Sequence, residues 1–138
     1  MKILITGLPG SGKTSLARKL AAELNCDWFN ADAIRQQHND WDFSESGRIR
    51  QATRMRDLAN AATTDYVIAD FVAPLREMRE LYDADITVWM DTIAEGRFED
   101  TNKMFEMPED YDYRVTDWED RWVKEIAERI LSNSSFQQ

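Results

Sequence analysis

The sequence predicts an α/β fold: a mostly parallel, five-stranded sheet with helices on both faces, three layers in all. Two observations predict it. Short apolar, β-branched runs alternate along the chain with segments of helical period. The first such run feeds a glycine-rich loop that opens directly into a helix.

The elements follow in order. Residues 2–6 form a short apolar strand, and a helix over Lys13–Leu24 places Leu16, Leu20 and Leu24 on one face. Asp27–Asn30 reads as a second strand, and Ala31–His38 as a helix capped by Asn30. Residues 46–62 are a longer helix with arginines on its polar side. Residues 66–69 are a buried strand ending in Asp70, and Pro74 opens a helix to Tyr82. Ile86–Met90 is a fourth strand, closed by Asp91-Thr92. Residues 95–105 read as helix, 107–112 as loop, 113–116 as a fifth strand. Residues 118–131 form a closing helix with Trp122, Ile126 and Ile130 at helical spacing, and 132–138 a frayed tail.

The 138 residues suit one domain, 1–138, with 43% hydrophobic and 31% charged residues. No apolar run approaches the roughly 20 residues that span a bilayer, and the amino-terminal run is too short for a secretory leader. The single cysteine, Cys26, excludes an internal disulfide and fits a cytoplasmic protein. With one Cys and one His, a Cys/His zinc site is excluded as well. A net charge of −9 opposes binding to nucleic acid. A small anion remains feasible, because Arg35, Arg48, Arg50, Arg54 and Arg56 cluster in sequence.

Gly7-Leu8-Pro9-Gly10-Ser11-Gly12-Lys13-Thr14 matches G-x-x-x-x-G-K-[ST], with an apolar strand before it and a helix after it. Glycines let successive N–H groups point into one concavity that cradles phosphate oxygens, and the helix start adds positive charge. Lys13 then reaches the β- and γ-phosphates, and Thr14 offers its hydroxyl to Mg²⁺. The nucleotide-binding set is these eight residues with Ser15. A GTPase would need N-K-x-D, and Asn102-Lys103-Met104-Phe105 lacks the Asp. The chain is also small for a motor ATPase, so an ATP-dependent small-molecule kinase fits best.

Asp32 stands where the second strand ends, facing the phosphate loop across the mouth of the sheet. It would orient or deprotonate an acceptor hydroxyl or hold Mg²⁺, or else cap the next helix. Asp70 follows an apolar strand in the manner of a Walker-B Asp, a Mg²⁺ candidate or a solvated strand end; Asp91 is a weaker parallel. Arg35, Arg48 and Arg54 would grip an anionic substrate, or else form a solvated helix face. Phe43 and Phe71 would clamp a flat base, or else serve the core.

These residues resemble the adenylylsulfate (APS) kinase family, which phosphorylates the 3′-hydroxyl of adenosine 5′-phosphosulfate in sulfate assimilation. The family pattern is GLSGAGKST, D-G-D-N-x-R, L-N, G-F-S, D-R-x-x-N-I-R-R, F-I-S-P-Y-R, a strand ending D-T, and a lid with K-G-L-Y. Here Asp32 and Arg35 fall in the second block, His38-Asn39 and Asp42-Phe43-Ser44 follow, and Arg48 matches the Arg of D-R. Phe71-Val72-Ala73-Pro74-Leu75-Arg76 and Asp91-Thr92 continue the order, so the likeness runs over about the first two-thirds of the chain.

The resemblance implies that Asp32 sits near the acceptor hydroxyl and magnesium. It implies that Arg35, Asn39 and Arg48 meet the sulfate-phosphate end and that Phe43 and Phe71 hold the adenine, with Val72 a further substrate-binding residue. Lys103 would be a catalytic lid lysine beside Lys13 and Asp32. The implied ligands are ATP, Mg²⁺ and a small anionic alcohol, and a homodimer is compatible. The chain departs from the pattern at Asn30-Ala31 (for D-G), Ala33, Gln51, Ala73, Asp70 and the lid. The alternatives are another hydroxyl acceptor (nucleoside, nucleotide or polynucleotide 5′ end) or a nucleotide-binding regulator without transfer activity.

Overall fold

A computed structural model describes residues 1–136, with side chains to Ser132. Eleven elements alternate: β1 Lys2–Gly7, α1 Lys13–Leu24, β2 Asp27–Asn30, α2 Ala31–His38, α3 Glu45–Ala61, β3 Val67–Asp70, α4 Arg76–Tyr82, β4 Ile86–Met90, α5 Glu99–Met104, β5 Tyr113–Val115 and α6 Arg121–Phe136. The strands form one sheet in the order β2-β3-β1-β4-β5, and every pairing is parallel.

Strand alternation divides the core in two. Ile3, Ile5, Ile68 and Val88 turn to the face covered by α1 and α6, where they meet Leu16, Leu20, Leu24, Ile126 and Ile130. Leu4, Val67 and Ala69 turn to the other face, against Ala52 and Met55 of α3 and Met78 and Tyr82 of α4. The predicted three layers and five strands are therefore present, and the sheet is wholly parallel.

Four boundaries differ from expectation. Helix α4 starts at Arg76, two residues beyond Pro74. Ala73 holds a left-handed φ of 44°. Its carbonyl accepts from Arg79 Nη1 at 2.8 Å, and the Pro74 carbonyl accepts from Glu106 N at 2.6 Å. Those carbonyls serve tertiary contacts, so the helix begins after them. Helix α5 is shorter than residues 95–105, because the Asn102 side chain binds both N–H and C=O of Gly96 (2.8 and 3.0 Å) and holds 96–98 as a turn. Helix α6 begins only at Arg121, after the Asp117 carboxylate has accepted from Glu119 N at 3.0 Å. It also runs through Phe136 where a frayed tail was expected, while residues 137–138 lie outside the described residues.

Parallel pairing brings the carboxyl ends of β1, β2, β3 and β4 to one rim. Asn30 and Asp70 end their strands directly opposite each other. No described helix is long and apolar enough to cross a membrane.

Candidate active site

A cavity of about 1110 Å³ opens on that rim. Its floor is the loop between β1 and α1: Pro9, Gly10, Gly12, Lys13, Thr14 and Ser15 all line it. Gly7, Leu8 and Ser11 belong to the same loop but lie beneath it, buried. Among the described residues no protein acceptor takes the N–H of Gly10, Gly12, Lys13 or Thr14, and the buried Ser11 hydroxyl has no partner. A row of free donors with a buried lysine is the arrangement that binds phosphate oxygens.

Lys13 Nζ donates to the Leu8 carbonyl at 3.0 Å. Burial pushes its ammonium down to about 8, while the charges of Asp70 and Asp32 pull the other way. Asp70 is only 2% exposed. It accepts from Trp28 Nε1 at 2.6 Å and from Asn30 Nδ2 at 3.3 Å. Burial raises its carboxyl above the usual carboxylate range, and the Trp28 and Asn30 hydrogen bonds and the Lys13 charge oppose that rise.

Asn30 connects these groups. Its Oδ1 accepts from Ala33 N at 3.0 Å, capping α2, and its Nδ2 reaches both Asp70 and Thr14 Oγ1, the latter at 3.2 Å. Asp32 therefore does not cap α2. It lies in the first turn, exposed, and lines the cavity. The Thr14 hydroxyl and the Asp32 carboxylate are hard oxygen donors in the cavity lining, a set that suits magnesium held jointly with nucleotide phosphates. Asp70 lines the cavity too, but its oxygens already have donors.

Phe43, Arg48, Phe71 and Val72 also line the cavity. Arg48 donates from Nε to the Phe43 carbonyl at 3.0 Å and from Nη2 to Thr101 Oγ1 at 2.7 Å. The Phe43 ring is braced by the Arg35 and Arg48 guanidinium groups, 4.4 and 5.2 Å from its centroid. Phe71 is buried and packs edge-on against Tyr82 at 5.8 Å, so it presents less of its ring than Phe43, which is half exposed.

The arginine cluster is not a free anion patch. Arg35 is buried and donates to the Asp40 and Asp42 carbonyls at 3.1 and 3.2 Å. Arg50 and Arg54 both pair with the Asp40 carboxylate, at 2.7 and 2.8 Å. Hydrogen bonding from Arg50 holds that carboxyl well below the usual range. Of the five, only Arg48 lines the cavity. Asn39 does not; it caps the end of α2 with a left-handed φ of 48°. Lys103 is likewise outside, exposed and paired with Glu99 at 3.4 Å. Arg97, Phe98, Asp100, Thr101 and Met104 line the lid side instead. Asp91 pairs with Arg114 at 2.6 Å.

Sequence reasoning missed Asn30 as a connector, Trp41 and Phe98 at the cavity mouth, and Trp118. The Trp118 indole donates from Nε1 to the Ser11 carbonyl at 3.0 Å, and Thr92 Oγ1 donates to the same oxygen at 2.7 Å. Local capping rules single out Asn30 as a helix cap and reveal none of these links, which join residues far apart in sequence.

The sequence model of the adenylylsulphate kinase family matches residues 1–110. The chain belongs to the adenylylsulphate kinase family. An APS kinase from Mycobacterium tuberculosis, solved with AMPPNP and APS, shares its fold at a TM-score of 0.72 and 22% identity, over 95% of each chain. Shikimate kinase from Acinetobacter baumannii superposes at 0.66 with 21% identity, over 96% of this chain and 93% of its own. A gluconokinase from Sinorhizobium meliloti superposes at 0.69 with 16% identity, over 99% and 97%. Comparison with curated protein sequences finds no match. This member of the family is thus a P-loop kinase, an ATP-dependent phosphotransferase on a fold that it shares with a shikimate kinase and a gluconokinase.

Proposed function

We propose that this kinase transfers the γ-phosphoryl group of ATP to the 3′-hydroxyl of adenosine 5′-phosphosulfate. The observation that supports this reading is a cavity lined both by the phosphate loop and by an aromatic ring with a buried arginine against it, Phe43 and Arg48. A flat base stacks on the ring, and a sulfate or phosphate pairs with the guanidinium. A sugar acid would use the arginine and leave the ring without a partner.

In the proposed step the acceptor oxygen attacks the γ-phosphorus while the bond to the bridging oxygen of ADP breaks. The hydroxyl proton passes to the Asp32 carboxylate. Magnesium, when bound, neutralises charge between the β- and γ-phosphates. Thr14 and Asp32 offer it oxygens, Lys13 and the loop N–H groups hold the phosphates, and Asp70 sets the charge around Lys13. Catalysis by the chain itself is positioning and electrostatic stabilisation.

A coupled ADP-release assay tests the acceptor across APS, nucleosides, nucleotides, short oligonucleotides, shikimate and gluconate. ADP release that depends on APS is expected. Release with a different alcohol and none with APS would transfer the reading to that acceptor. ATP binding with no release for any alcohol would make the chain a nucleotide-binding regulator.

A further inference from the structure

Trp118 lies beyond the residues that match the family model, in the segment between β5 and α6. Its side chain is 61% exposed, yet its indole N–H is committed to the Ser11 carbonyl at 3.0 Å, 107 positions away in sequence. Thr92, just past β4, donates to that same oxygen at 2.7 Å. Two donors from separate segments thus converge on one phosphate-loop carbonyl.

The peptide bond after that carbonyl is trans, so the N–H of Gly12 points away from Trp118 and Thr92. That N–H is one of the loop donors without a protein acceptor. The indole also leaves no room for a side chain at residue 12, where the backbone conformation already favours glycine. Gly12 has a φ of 99°, and a Cβ there would fall 2.7 Å from Trp118 Nε1. We infer that Trp118 is a positioning residue for the phosphate site: with Thr92 it pins the Ser11–Gly12 peptide so that the Gly12 N–H faces the bound phosphates. The indole acts through its N–H on the loop, while its exposed face is incidental to the role.

This inference rests on the phosphate-loop reading of the site. It is tested by titration calorimetry with MgATP and with inorganic tripolyphosphate, which carries phosphates but no base. Wild type, Trp118→Phe, Trp118→Ala, Thr92→Val and the double Trp118→Phe/Thr92→Val variant are compared, each checked by thermal melting. Trp118→Phe keeps an aromatic ring, though a smaller one, and removes the donor. Both ligands are expected to weaken in parallel, by roughly 3- to 10-fold in each single variant and further in the double variant. Unchanged tripolyphosphate affinity in the folded double variant would overturn the inference. A loss confined to ATP, seen with Trp118→Ala and absent with Trp118→Phe, would overturn it in favour of base stacking on the indole. Failure of wild type to bind either ligand would instead defeat the phosphate-loop reading itself.

Discussion

Asn30 Nδ2 lies 3.2 Å from Thr14 Oγ1, so the amide that caps α2 also touches the hydroxyl that opens α1. The start of the helix carrying Asp32 is thereby registered to the phosphate loop. Asn30→Ala removes the cap and one donor to Asp70, and stability should fall by about 1 kcal/mol in thermal melts. Asn30→Ser keeps a capping oxygen but cannot span to Thr14. It should recover most of the melting temperature while kcat remains below that of wild type, as in Asn30→Ala. Equal kcat in Asn30→Ser and wild type would show that the link to Thr14 does not matter.

Lys13→Ala removes the ammonium that the loop holds among its free N–H groups. Turnover should drop on the order of 10²-fold or more. Stability should not fall in step, because the ammonium is buried and desolvated. Steady-state kinetics beside a melting curve read both effects.

The Lys13 ammonium titrates near about 8 in the fold, against an ordinary value of 10.5. Between those values the unfolded chain holds a proton that the folded chain has lost. Stability of the nucleotide-free protein should therefore gain from this group as pH rises through the window. Below it both states are protonated and the cost of burying the charge is felt in full. ATP requires the ammonium, so ATP affinity should fall over the same window. Calorimetric melting and ATP titration across that range should give opposite slopes, and Lys13→Arg should flatten both.

Arg48 and Arg35 both brace Phe43, but only Arg48 lines the cavity. Arg48→Ala should raise the KM for APS by about tenfold or more with little change in the KM for ATP. Arg35→Ala should lower the melting temperature, since its guanidinium ties down the Asp40 and Asp42 carbonyls. Initial-rate kinetics with each substrate varied in turn, alongside melting curves, separate the two roles.

Gly47 sits under the same loop: a Cβ there would fall 2.3 Å from the Asp42 carbonyl oxygen. Gly47→Ala should cost about 1–3 kcal/mol by overpacking. It should also displace Phe43 and raise the KM for APS, measured as for Arg48.

The sequence carried the first third of the fold almost residue by residue, because local rules decide it. The phosphate-loop pattern fixes where β1 stops and α1 starts, and Asn30 is a strong helix-capping residue. Where long-range contacts decide, local rules failed. Pro74 did not open α4, because its carbonyl is bound by Glu106 from a distant loop. The arginine cluster looked like an anion site, but Asp40 and Asp42 fold back onto it. Lys103 has the right chemistry for a lid and the wrong helix face, one turn from Glu99. Asn30 and Trp118 act through bonds spanning 40 and 107 positions, which no window along the chain reveals.

The sheet order has a consequence for how the protein comes to be made. β1 lies in the middle, and its neighbours are β3 and β4, which begin at Val67 and Ile86. During synthesis the phosphate loop emerges with no partner strand beside β1 until some sixty further residues have followed it. Closing such long separations is slow relative to local folding. A nascent chain halted before Val67 should therefore carry the whole nucleotide signature and still be unable to grip a nucleotide.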